Sequence, residues 1–248
     1  MKIIIAPAKK MIVDNDTFAY EELPQYLDQT KQILQTMQQL SYEQAKKMWN
    51  CSDKLAEQNY DWLQKIDLTK HLTPALLAFS GIQYQYMAPD LFTEPALDYV
   101  RQNLRILSGF YGILRPFDGV VPYRLEMQSK LQVATYNTLY DFWNSKIYDA
   151  LTDGTEPIVN LSSQEYANAI KPYLKPNQKL ITIVFGSLVD NKLKTKATLA
   201  KMARGEMVRF MAENNITDIS GIKRFSHPDW KFSPELSVDD RLVFVYQK

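Results

Sequence analysis

Between positions 103 and 128 the chain sets Tyr111, Arg115, Asp118, Tyr123, Arg124 and Glu126 among aromatics and turn residues. Guanidinium groups fork onto phosphates or carboxylates, tyrosine rings stack on bases, and Asp118 and Glu126 can act as acid or base. The same arginines and carboxylates can equally pair with one another and fix a chain reversal. A second group follows the apolar run at 157–161, where Asn160, Ser162, Ser163, Glu165 and Tyr166 stand at an expected strand-to-helix junction. Free backbone amides at such a junction receive anions. Ser162-Ser-Gln-Glu165 also has the spacing of a capping box, so Glu165 reads either as a cap on those amides or as a polar site residue. A third group is basic: Lys192, Lys194, Lys196, Lys201, Arg204 and Arg209 face only Glu206 in the same span, and Lys9 follows the first apolar run. Ordinary solvation of surface lysines is the competing explanation for that strip.

The elements that must hold these groups follow from periodicity and punctuation. Residues 2–6 read as a buried strand stopped by Pro7, which puts Lys9 in the loop beyond its carboxyl end, where open α/β sheets collect ligands. Helices are expected over 23–39, from the Ser41-Tyr-Glu-Gln44 capping box through Trp49, and from Ser52 onward. The spacing of Leu97, Val100, Leu104 and Leu107 predicts one helix over 93–108, with Gly109 as its left-handed terminator. Alternation at 83–87 predicts a strand. Further helices are expected from Leu139, over 163–170 and over 199–214, and strands at 157–161, 179–185 and 242–246. A turn at Asp190-Asn191 leads into a lysine-rich strand, and Trp230 and Phe232 fall in a loop. Alternating strands and helices give an α/β class, although the helical block before Thr93 and the hairpin near Asp190 depart from a doubly wound repeat.

Composition narrows the function. A chain of 248 residues with 46% hydrophobic and 23% charged residues and no linker-like break is expected to form a single domain over 1–248. One cysteine, Cys51, rules out an internal disulfide and a multi-thiolate metal site, and His71 and His227 form no H-E-x-x-H motif. No metal or cofactor is expected. Phosphate-loop, dinucleotide and nucleophile-elbow motifs are missing as well. The apolar runs are far below the roughly 20 residues that span a bilayer, so no membrane partner and a cytoplasmic location are expected. A formal charge of +1 gives no global pull toward nucleic acid; binding must come from a local patch.

Motifs spread through the chain resemble the YaaA family, also called DUF328 or UPF0246. They are Ala6-Pro-Ala-Lys9, Ser52-Asp-Lys-Leu-Ala56, the run from Leu107 to Pro116, Pro122-Tyr-Arg-Leu-Glu-Met127, Leu139-Tyr-Asp-Phe-Trp143, Asn160-Leu-Ser-Ser-Gln-Glu-Tyr166 and Ala203-Arg-Gly205. The resemblance implies a single-domain, cantaloupe-like α/β fold with a mixed sheet and a helix-hairpin-helix element, placed here at Gly109 and Gly112. It also implies a peroxide-stress protein that binds duplex or branched DNA and limits free intracellular iron. The family usually carries Gly-Asp where this chain has Gly81-Ile82, which removes a carboxylate.

Two function classes follow. A DNA-binding protein would use Lys9, Lys54, Tyr111, Arg115, Tyr123, Arg124, Asn160, Ser163, Lys194, Lys196, Lys201 and Arg204 as ligand contacts. An enzyme acting on DNA bases, nucleotides or another small anionic substrate would add Glu126, Glu165, Tyr166 and Asp118 as catalytic groups. Direct iron handling through oxygen ligands is a third class, without a recognisable ligand set. Oligomeric state is open.

Overall fold

The computed structural model describes residues 1–14, 16–190 and 192–247. In chain order its elements are β1 (Lys2–Ile5), α1 (Leu27–Gln38), α2 (Tyr42–Trp49), α3 (Asp53–Lys65), β2 (Thr73–Pro74), α4 (Ala75–Ala78), α5 (Ile82–Met87), α6 (Glu94–Asn103), β3 (Leu104–Ser108), β4 (Gly112–Leu114) and β5 (Gly119–Val120). There follow α7 (Leu139–Trp143), α8 (Lys146–Leu151), β6 (Ile158–Leu161), α9 (Gln164–Ala167), β7 (Leu180–Val189), β8 (Lys192–Lys194), α10 (Ala197–Glu213), α11 (Ile219–Ile222), β9 (Trp230–Phe232) and β10 (Arg241–Tyr246). The α/β class is as expected.

A mixed sheet of order β4-β3-β1-β6-β7-β10-β9 forms the centre, with β8 paired to β7. Strands β3, β1, β6, β7 and β10 run parallel, while β4, β8 and β9 are antiparallel. Helices on the faces bury the parallel strands, and Ile3, Ile4 and Ile5 are all inaccessible to solvent. Each contributes roughly 1.5–3 kcal/mol relative to exposure. From β1 the sheet extends to β3 on one side and β6 on the other, so the order reverses there, and the crevice beyond the carboxyl ends of such strands is the usual ligand site.

Several local expectations need correction. The helix predicted over 93–108 ends at Asn103, and Leu104, Ile106 and Leu107 belong to β3. Gly109 is not left-handed; Gly112 is, with φ of 75°, and Trp143 stacks where its side chain would be. The helix-hairpin-helix placed at Gly109 and Gly112 is instead a β-hairpin, with Ile106 opposite Leu114 and Ser108 opposite Gly112. Residues 83–87 lie in α5 rather than a strand. Trp230 and Phe232 lie in β9 rather than a loop. The capping box at Ser41 is present, closed by Gln44. Asp190 is left-handed, as a turn requires, whereas Asn191 of the expected turn lies outside the described residues. Among the described residues no helix is long and apolar enough to cross a membrane.

Candidate functional site

A cleft of about 480 Å³ opens beyond the carboxyl ends of β1 and β6. Its walls come from the loop 6–10 after β1, α5, the segment after β5 that carries Tyr123 to Glu126, the loop and helix after β6, and α10. Of the residues singled out by sequence, Lys9, Tyr123, Arg124, Glu126, Ser163, Glu165, Tyr166, Lys201 and Arg204 line it together. With Lys10, the cleft has five cationic side chains against the two carboxylates Glu126 and Glu165.

Local packing explains why each wall stands where it does. Asn160, buried at the end of β6, accepts the Ser162 amide at 2.9 Å and its hydroxyl at 2.7 Å, which shapes the turn that presents Ser163. The Arg124 carbonyl accepts the Trp49 indole N–H at 2.7 Å, tying the cleft segment to α2. Helix α10 approaches α5 closely because position 205 is glycine: a Cβ there would run into the Gln83 carbonyl and stand 2.8 Å from the Met87 nitrogen. That approach brings Lys201 and Arg204 beside Gln83 and Tyr84.

The electrostatics are uneven. Lys9 Nζ lies 2.8 Å from Glu126 Oε1, and Arg124 Nη2 lies 3.9 Å from the same oxygen. Among the described residues Arg124, whose side chain is 10% exposed, makes a single long side-chain hydrogen bond, from Nη2 to the Trp49 carbonyl at 3.5 Å, and its buried Nε has no acceptor. Arg204 Nε is buried and without an acceptor too, and burial pulls its guanidinium below its ordinary pKa. Glu165 does not close the expected capping box. Its Oε1 accepts the Gln128 amide at 3.1 Å, and no side chain caps α9. Burial raises the pKa of Glu165, assisted by the charge of Glu126 and opposed by the Gln128 amide. Tyr166 is raised by burial as well.

Other candidates stand elsewhere. Arg115 and Asp118 pair with each other away from the cleft, in a small hollow with Glu22. Tyr111 is buried in a ring cluster with Phe110 and Tyr123, and its hydroxyl accepts the Val121 amide at 3.2 Å. Lys54 lies on α3, while Lys194 on β8 and Lys196 at the start of α10 are exposed on the approach to Lys201. Sequence reasoning overlooked Gln83 and Tyr84 as lining residues. The glycine in the middle of α10 was the available signal, since such a glycine marks a close approach. A larger hollow of about 730 Å³, walled by Met11, Ile12, Val13 and Trp62 among others, gathers none of the candidates. It is therefore not taken as the site.

The fold and cleft define an α/β protein with a crevice lined mainly by cations at a sheet switch point. The family model described as Peroxide stress protein YaaA matches residues 1–236, and the chain belongs to this family. It is 64% identical to a UPF0246 protein of Lactiplantibacillus plantarum, covering 100% of both chains. UPF0246 proteins of Pediococcus pentosaceus and Limosilactobacillus reuteri are 54% and 53% identical, over 99% and 100% of this chain and 98% and 100% of theirs.

Proposed function

We propose that this peroxide-stress family member is a cytoplasmic DNA-binding protein that shields DNA and helps limit free iron under hydrogen peroxide. The carrying observation is a strip of cations without internal partners. Lys192, Lys194, Lys196 and Lys201 are exposed, form no ion pair among the described residues, and lead along β8 and α10 to the unpaired Arg204 in the cleft. Phosphates of duplex or branched DNA would supply the missing counter-charges.

Fluorescence anisotropy with labelled duplex, single-stranded and branched DNA tests this reading. Log affinity should fall linearly with log salt, by ~0.9 per phosphate neutralised on duplex. Joint charge reversal at Lys194, Lys196 and Arg204 should weaken binding to every sequence alike. Pure, monodisperse protein with no salt-sensitive binding would overturn the proposal.

A second reading is favoured by Glu126 and Glu165 sharing the cleft with Tyr166. It makes the protein an enzyme on DNA bases, nucleotides or another small anionic substrate, with Glu165 as proton carrier. Product analysis after incubation with damaged DNA and a nucleotide panel decides it, and unchanged substrates across pH and metal series would sink it.

A further inference from the structure

The cleft lining carries two chemically different sets of side chains. Arg204 forms no ion pair among the described residues, and its buried Nε lacks an acceptor. A partly buried guanidinium without an anion is unfavourable, and buried unsatisfied donors in folded proteins ask for an explanation. Lys201, one helical turn earlier on α10, is exposed and unpaired beside it. The other set is Glu126 and Glu165, which line the same cleft, with Lys9 bound to Glu126 at 2.8 Å.

Neither a bare phosphate nor an uncharged molecule satisfies both sets. Phosphate alone suits Arg204 and Lys201 but brings no N–H donors to the carboxylates, and a neutral ligand leaves Arg204 unpaired. The complement is one molecule with an anionic group at one end and N–H donors at the other. Nucleobases with exocyclic amines offer such donors to carboxylates, as cytosine N4 does to Glu or Asp. A volume of about 480 Å³ also falls in the range of small-molecule sites, so a duplex cannot enter whole.

We propose that the cleft holds a single nucleotide unit, with its phosphate on Arg204 and Lys201 and the amino-bearing edge of its base on Glu126 and Glu165. The choice of a nucleobase for the donor end rests on the DNA-binding reading above. The unit can be a nucleotide extruded from a strand or a free mononucleotide, since both present the same phosphate and base edge.

Calorimetry of the full chain with 5′-monophosphates of adenosine, guanosine, cytidine and thymidine, the matching nucleosides and inorganic phosphate is the direct test. At least one amino-bearing monophosphate should bind about tenfold or more tightly than its nucleoside and than phosphate, with thymidine monophosphate weaker. Arg204→Met should remove that advantage. The exposed Lys201→Gln, which leaves the core untouched, should reduce it by about threefold or more. In a parallel arm, a duplex with one 2-aminopurine should brighten when the protein binds if extrusion is the source, and stay unchanged if free nucleotides are. Equal binding of phosphate and nucleotides, or of nucleosides and nucleotides, overturns the proposal. DNA binding that persists without mononucleotide or extruded-base binding overturns it too, while leaving the DNA reading standing. Nucleotide binding without DNA binding does the reverse.

Discussion

Arg115 and Arg124 stand a short distance apart on the same segment, both beside carboxylates, yet one has an acceptor on every guanidinium nitrogen and the other does not. Arg115 donates its backbone N–H to Asp118 Oδ2 at 2.9 Å, Nε to Asp118 Oδ1 at 2.8 Å, Nη1 to Glu22 and Nη2 to the Leu23 carbonyl at 3.0 Å. This knot joins the 21–23 segment to the turn before β5, and each guanidinium nitrogen in it already has an acceptor within the chain. Among the described residues Arg124 keeps a buried Nε without an acceptor, and so does Arg204 on α10. Sequence treats all three arginines alike. Hydrogen-bond satisfaction separates them: the filled one holds chain to chain, and the other two each keep a buried Nε without an acceptor among the described residues.

The largest effect should come from breaking the filled knot. Asp118→Ala strips two acceptors from Arg115 in a buried place, and should cost about 2–4 kcal/mol in chemical denaturation, the low end reflecting the partly exposed guanidinium. A loss below about 0.5 kcal/mol would mean the knot is decorative and the contrast with Arg124 empty.

Protonation sharpens the same knot. Burial pushes Asp118 from 3.8 up to about 6, against the opposing pull of the Arg115 N–H and guanidinium. The partners lean in opposite senses, because the carboxylates of Asp118 and Glu22 hold Arg115 above its ordinary value although burial pulls it down. For Asp118 burial decides the sign, since its side chain is 2% exposed against 37% for Arg115. The folded chain therefore binds this proton more tightly than the unfolded chain. The resulting stability is fully present below 3.8 and is lost as pH rises through about 6. The stability difference between the wild type and Asp118→Asn should shrink by roughly 2 kcal/mol between about pH 4 and pH 7 in urea melts. A flat difference would place the proton elsewhere.

Arg204→Met reverses the pattern expected of the filled knot. Replacing a buried charge that has no partner by an apolar side chain of similar length should leave stability within about 1 kcal/mol, or raise it, while DNA affinity falls. Thermal melts and anisotropy on one preparation check both halves. A destabilisation as large as that of Asp118→Ala would show Arg204 to be a structural residue and would end the contrast.

How much of this was legible beforehand follows the range of the interactions. The strands at β1, β6, β7 and β10 could be read because continuous apolar runs bounded by proline or polar residues report burial locally, and the Ser41 box because cap and partner are three residues apart. The change from α6 to β3 was hidden. A strand buried on both faces need not alternate, and Leu97, Val100, Leu104 and Leu107 fit a helical spacing across the boundary. Tyr84 and Tyr86 imitated a strand, but α5 is set by its packing on Gly205, far along the chain. Glu165 reads in sequence either as a cap on its own helix or as a site residue, and the amide it accepts is that of Gln128 on another segment. Most of the polar and charged cleft residues were nonetheless named, because their chemistry is local to the side chain. Which arginine had an acceptor on every guanidinium nitrogen could not be, because Glu22 and Trp49 supply the distinguishing contacts from distant positions.

The smallest effect tests the outer reach of the unfilled set. Lys196 is exposed at the start of α10 and forms no ion pair among the described residues, so Lys196→Gln should leave stability within about 0.5 kcal/mol. If it meets a phosphate, the salt dependence of duplex binding should become shallower by ~0.9 in the log–log slope, with no change in sequence preference. Lys54 on α3 gives the matched comparison, since it is an exposed lysine that does not line the cleft. Equal slope changes from Lys54→Gln and Lys196→Gln would spread binding over the whole surface. A change confined to Lys196 would tie the phosphate path to α10, and so to the arginine that the fold leaves unpaired.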